Sequence, residues 1–144
     1  MLMKPISDTV ISANRLGLTF ETNDGPVHAL SEVDLDIRKG EFVSFIGPSG
    51  CGKTTFLRVI ADLEQPTAGT ISVNGMTPEE ARRSRAYGYV FQAAALYPWR
   101  TIERNVALPL EIMGHSRDER KARVARTLDL VNLTGFEKKY PWQL

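Results

Sequence analysis

An α/β fold is predicted by three features of the chain. Two strand-like segments flank a turn near the N-terminus, an apolar run opens through a glycine-rich loop into a helical pattern, and amphipathic segments follow toward the C-terminus. The 144 residues are 42% hydrophobic and 24% charged, which suits one sizeable core. A net charge of +1 gives no general reason to bind nucleic acid or an anionic surface, so partners have to be read from sites. No apolar stretch approaches the ~20 residues of a spanning helix, and "MLMKPISDTV" lacks the apolar run of a secretory signal. The expectation is a chain that stays in the cytosol. Its single cysteine, Cys51, excludes an internal disulfide and a cysteine-rich zinc site.

Each element has its own signal. "NRLGLTFET" and "VHALSEVDLDI" alternate in part, as at Val33, Leu35 and Ile37, and Asn23-Asp24-Gly25 between them is a turn, so an antiparallel sheet comes first. Arg38-Lys39-Gly40 turns the chain into "EFVSFI", residues 41–46, whose continuous apolar character predicts a core strand covered on both faces. A helix is expected from Lys53 to Ala61, stopping before Pro66, and then a strand at "GTISV" closed by the turn Asn74-Gly75. Thr77-Pro78-Glu79-Glu80 reads as a capped helix start with proline at the first position. "YGYVF" is a further expected strand. Helices follow at about Ile102 to Met113 and about Arg117 to Val131, the second opened by the capping box Ser116 to Glu119 and apolar at Ala125, Leu128 and Val131.

The loop between the apolar run and the first helix carries the chemistry. Gly47-Pro48-Ser49-Gly50-Cys51-Gly52-Lys53-Thr54, with Thr55 after it, fits G-x-x-x-x-G-K-[ST] between a strand and a helix: a P-loop, or Walker A motif. Glycines let successive backbone N–H groups turn inward as a nest for phosphate oxygens, and the helix N-terminus adds its dipole. Lys53 would reach the β- and γ-phosphates, and the Thr54 hydroxyl would ligate a Mg²⁺ bridging them. The expected cofactors are ATP and Mg²⁺. A match to the four fixed positions arises by chance in a chain this long with a probability of roughly 0.5%, before the strand and helix are required. P-loops serve kinases, GTPases, motors and transporters alike, so the motif names a ligand class and not a task.

Beyond the loop, "ALSEVDLDIRKGEFVSFIGPSGCGKTTFLRVIADLEQPTAGTISVNG" and "YGYVFQAAALYPWRTIERNVALPLEIMG" resemble the ATP-binding subunits of ABC transporters, over most of the chain. "VFQ…LYPWRTIERNVALPLE" looks most like importers of the nitrate, sulfonate and taurine type. The resemblance implies a P-loop NTPase core with an N-terminal antiparallel β subdomain, about residues 1–95, and the start of a helical subdomain, about 96–144. It also implies an incomplete ABC ATPase fold. Phe20 falls where the family stacks an aromatic on adenine, with a core-facing strand residue as the alternative. Gln92 matches the glutamine that approaches Mg²⁺ and the attacking water and couples the site to the membrane subunits; an amide oxygen suits a hard cation. The loop Gly47 to Thr55 would thus hold ATP, with Lys53 and Gln92 as catalytic groups and Thr54 and Gln92 toward the metal.

The implied partners are a second ATP-binding subunit as a homodimer, transmembrane permease subunits, and indirectly an extracytoplasmic solute-binding protein. Nucleic acid is not among them. The implied location is cytoplasmic, peripheral on the inner face of the cytoplasmic membrane. Tyr97, Pro98 and Trp99 either close local packing or lie near a groove for a membrane subunit. His28 and His115 stand outside any metal spacing, and the basic residues of "RDERKARVARTLDLV" read as a solvated helix face. Asp62 stands where relatives commonly carry glycine. "YPWQL" stops where relatives continue into the signature sequence, and the Walker B aspartate, its neighbouring glutamate and the switch histidine find no counterpart in the chain. The expected function is that of an importer ATPase subunit coupling ATP hydrolysis to solute uptake, with this stretch inactive alone. The alternative is a nucleotide-binding or regulatory module that does not hydrolyse.

Overall fold

The computed structural model describes residues 8–93 and 95–144. They belong to two compact units, the first ending at Tyr89 and the second spanning Val90–Leu144.

In the first unit, β1 (Thr9–Thr22) and β2 (Gly25–Arg38) form a long antiparallel hairpin through Asn23 and Asp24, and β3 (Ala68–Val73) pairs antiparallel on the other side of β1, giving the order β2-β1-β3. Ala13 and Leu16 are both buried although their spacing is odd, which strict alternation would place on opposite faces. A register shift between them restores the common face. The bulge is fastened at Arg15, left-handed at φ 45°, whose backbone N–H donates to the Asp34 carboxylate at 2.6 Å. Helix α1 (Lys53–Ile60) buries Phe56, Val59 and Ile60, spaced as one helical face, in the cluster that contains Leu16, Leu18, Leu30 and Val73 of the sheet. Helix α2 (Pro78–Arg83) has the predicted cap: Thr77 Oγ1 accepts from the Glu80 N–H, and the Glu80 carboxylate accepts from the Thr77 N–H at 2.9 Å.

The second unit packs α3 (Ile102–Ile112) on α4 (Arg117–Leu130) around Ile102, Val124 and Leu128, with Val106, Leu110 and Leu133 against them. The first N–H groups of α3 are met by the chain's last segment, Ile102 N–H donating to Lys139 O and Glu103 N–H to Glu137 O. A 3-10 turn, Pro141–Gln143, follows.

Four expectations are corrected. Residues 41–46 and the stretch "YGYVF" are not strands. Phe42 is 97% exposed, Ile46 93% and Val90 96%, and only Phe45 of the first run packs on the core, edge-on to Phe56 with centroids 5.5 Å apart. Apolar residues favour burial, but a strand exists only where a neighbour accepts its ladder, and the sheet of the described residues joins β1 to β2 and β1 to β3. The apolar face of α4 runs through Val124 and Leu128 rather than Ala125 and Val131, which are exposed. Finally, Ser116 caps α4 through the Glu119 N–H, but the Glu119 carboxylate lies on His115 Nδ1 at 3.2 Å instead of closing the expected box.

Candidate functional site

The glycine-rich loop lies between residue 46 and α1, and its shape follows from its glycines. Gly50 and Gly52 sit at φ 82° and 92°, where L side chains are strained. A Cβ at Gly52 would stand 2.5 Å from the Ala29 carbonyl oxygen of β2, so the loop's exit packs directly on strand backbone. Gly52 is also the N-cap of α1. It has no side chain to cap the helix and the first turn holds no acidic residue, so neither a capping side chain nor a carboxylate of the helix entry occupies the anion-favouring end of α1. Thr54 is exposed in that first turn, with Thr55 beside it.

Lys53 does not point away from the loop. Its Nζ donates to Gly47 O at 2.7 Å and Pro48 O at 2.6 Å and approaches Cys51 Sγ at 3.3 Å. The ammonium therefore spans the loop from within, closing it around one positive charge. Cys51 is free and exposed, and its Sγ lies 2.9 Å from where a Cβ on Gly47 would be.

The other sequence-predicted residues lie elsewhere. Phe20 stands near the hairpin tip opposite Val27, 37% exposed, so it is outside the buried core. Gln92 is exposed on a loop of the second unit. His28 bonds Thr19 Oγ1 through Nδ1 at 2.9 Å on the hairpin surface. Among the described residues no group of three His, Cys, Asp or Glu side chains could hold a metal ion. No helix among them is long and apolar enough to cross a membrane.

Two polar groups beyond the motif were not legible as partners. Asp62, just past α1 at φ 51°, accepts from Arg82 Nε at 2.7 Å and Gln65 Nε2 at 2.6 Å, tying the end of α1 to α2. Asn105 is a buried polar side chain in α3. Its signal in the sequence was an amide amid the apolar periodicity of "TIERNVALPL".

Comparison with known proteins decides the family, because the ABC transporter family matches residues 30–143, from β2 through the loop to the last turn. The chain belongs to the ABC transporter family. Among similar proteins, this ABC-family chain is 40% identical over 93% of its length to an uncharacterised ABC transporter ATP-binding protein of Methanocaldococcus jannaschii, of which it spans 49%. It is 44% identical over 83% of its length to a sulfate/thiosulfate import ATP-binding protein of Synechococcus elongatus, spanning 35% of it. With a taurine import ATP-binding protein of Roseobacter denitrificans the figures are 39% identity, 94% of this chain and 50% of the relative. The chain thus spans about half or less of these curated relatives. A solved ATP-binding cassette, dimeric in a post-hydrolysis state and bound to ADP and Pi, superposes with a TM-score of 0.80 at 34% identity, covering 93% of this chain and 62% of that one. The fold is α/β and corresponds to part of the P-loop ATPase fold of such cassettes.

Proposed function

We propose that this ABC-family chain is the nucleotide-receiving part of an importer's ATP-binding subunit, which as a whole couples ATP binding and hydrolysis to solute uptake. The observation that carries this is the loop at the N-terminus of α1, where paired positive-φ glycines, a helix entry without an acidic side chain and the enclosed Lys53 ammonium together suit a polyphosphate. Residues Gly47 to Thr55 hold the phosphates. Lys53 leaves one or both loop carbonyls to meet the β- and γ-oxygens, the Thr54 hydroxyl and the Gln92 amide serve the cation, and Phe20 stacks on the adenine. A bound Mg²⁺ would supply charge neutralisation on the phosphates. This chain positions phosphates but supplies no assigned carboxylate to orient water, so alone it binds without turning over.

We infer a homodimer on the inner face of the cytoplasmic membrane, working with permease subunits and an extracytoplasmic solute-binding protein; the dimeric cassette supports the dimer, and the import named for the relatives supports a role in uptake. "VFQ…LYPWRTIERNVALPLE" supports the nitrate, sulfonate and taurine group. Two of the relatives described above are named as import ATP-binding proteins for sulfate/thiosulfate and for taurine.

Titration of Mg·ATP into purified protein tests the reading. Lys53→Ala should weaken binding on the order of 100-fold by removing the fixed cation, with circular dichroism unchanged. Wild-type affinity in that variant would sink the P-loop assignment. Phe20→Ala should cost about 1–2 kcal/mol of ATP affinity while leaving inorganic triphosphate binding alone. Equal loss for both ligands would return Phe20 to a structural role.

A further inference from the structure

Two helices open on the same sequence pattern and the same backbone, yet only one closes its cap. Thr77 before α2 and Ser116 before α4 each stand three residues ahead of a glutamate, at φ −65°, ψ 155° and φ −60°, ψ 158°. Each hydroxyl accepts from that glutamate's N–H, at 3.2 Å and 3.3 Å. At α2 the Glu80 carboxylate returns to the Thr77 N–H at 2.9 Å. At α4 the Glu119 carboxylate instead accepts from His115 Nδ1 at 3.2 Å, and the return to Ser116 is not made. The backbone does not forbid that return, since the two cap conformations nearly coincide. What differs is the residue before the cap, Met76 in one case and an imidazole in the other.

His115 sits where its charge matters. It follows Gly114, left-handed at φ 78°, in the turn that ends α3; its N–H donates to Leu110 O at 3.0 Å, and the last turn of α3 holds no basic residue. A cation there meets the negative end of the α3 dipole and the Glu119 carboxylate, while the positive end of α4 opposes it. A charged donor holds a carboxylate about twice as strongly as a neutral one, so an uncharged imidazole leaves Glu119 to the backbone N–H of the capping box. The other charged groups around the turn are Glu111 of α3, held by Arg100 at 2.8 Å and Arg120 at 3.7 Å, Arg123, 3.6 Å from the second Glu119 oxygen, and Arg117 and Asp118 at the head of α4. Hydrogen bonds from Arg100 and from His115 hold the Glu111 and Glu119 carboxyls below the usual carboxylate range. Both carboxyls therefore stay ionised near neutrality, where imidazole is the type of side chain that changes charge.

We propose that His115 is a proton-operated latch on the turn between α3 and α4: charged, it draws Glu119 off the helix cap, and neutral, it releases Glu119 to close the box on Ser116. The latched form ties the end of α3 to the first turn of α4 through side chains. The released form gives α4 the complete cap seen at α2.

NMR on the whole chain at pH 5.5 and pH 8 tests this, reading the protection of the Ser116 amide against hydrogen exchange with the Thr77 amide as reference. In wild type, Ser116 protection should rise about 10-fold between the two conditions, following the titration of the His115 ring, while Thr77 protection stays constant. His115→Ala should show the high Ser116 value at both. Glu119→Gln, whose amide oxygen can close a box but attracts no imidazolium, should do the same, and Glu119→Ala should be low at both. The side chains replaced are 24% and 50% exposed, so neither change opens a core. Flat Ser116 protection in wild type, or a His115→Ala variant as unprotected as Glu119→Ala, would overturn the proposal. So would a pH-dependent rise that survives in Glu119→Gln, or an equal rise at Thr77, which has no imidazole beside it.

Discussion

Asp62 shows how a residue's effect can be hidden from the sequence that displays it. The aspartate itself is visible, but its partner Arg82 lies twenty positions on, and no local pattern links them. A left-handed φ of 51° favours glycine, and the aspartate offsets that strain by accepting from Arg82 and Gln65 with a carboxylate only 7% exposed. The Arg82 hydrogen bond holds the Asp62 carboxyl below the usual carboxylate range, against the opposing effect of burial. A depressed folded-state pKa stabilises above the unfolded value, about 3.9, and that share is lost as pH falls through the lower folded value. Asp62→Asn should therefore lower stability by about 1 kcal/mol at pH 7, the half-exposed Arg82 limiting the pair, and the gap should close on acidification. Thermal unfolding of both proteins from pH 7 to pH 3 measures it. A gap independent of pH would assign the loss to packing. The motif residues were legible because their chemistry is local; Lys53 reaching back to Gly47 and Pro48 was not, since spacing shows which groups are close in sequence and not where a flexible ammonium rests.

Elements were legible where their signals are carried within a few residues. Thr77-Pro78-Glu79-Glu80 announced α2, and the structure closes the box at both ends, Thr77 Oγ1 additionally donating to Glu80 Oε2 at 3.0 Å. In a helix of only six residues that cap is a large share of what holds the first turn. Thr77→Ala should cost about 1 kcal/mol and speed hydrogen exchange at the Glu80 amide, whereas Thr77→Ser should restore both. A silent Thr77→Ala would mean that α2 is held by Arg82 on Asp62 and by buried Ala81 alone. The runs at 41–46 and 87–91 failed for the opposite reason: composition reports a wish for burial, while a strand also needs a partner whose location the run itself does not encode. The stripe of α4 moved by a few positions because Val124 and Leu128 face Ile102 of α3, and several polar-to-apolar assignments fit so charged a helix equally well.

Across the whole molecule the consequence is an uneven surface. Phe42, Ile46 and Val90 are almost fully exposed, more than isolated surface apolars require, and the first two flank Phe45, which is packed. Consecutive apolar side chains without a ladder are a template for association between copies. The protein should bind a hydrophobic dye in its folded state and associate as its concentration rises. Substitution within this one run separates surface from core. Phe42→Lys with Ile46→Lys should reduce dye binding and association while changing stability by no more than about 0.5 kcal/mol per site, since neither side chain is buried. Phe45→Ala should instead cost about 2–3 kcal/mol, because it deletes the edge-on contact with Phe56 and opens a gap beside the sheet cluster that supports α1. Because α1 presents the phosphate loop, the same substitution should weaken Mg·ATP binding, and the double lysine variant should spare it. Chemical unfolding, dye fluorescence and sedimentation on the three proteins decide the matter. Destabilisation by the lysines as large as that from Phe45→Ala would show that residues 42 and 46 are covered in solution, and the run would then be core as its composition first suggested.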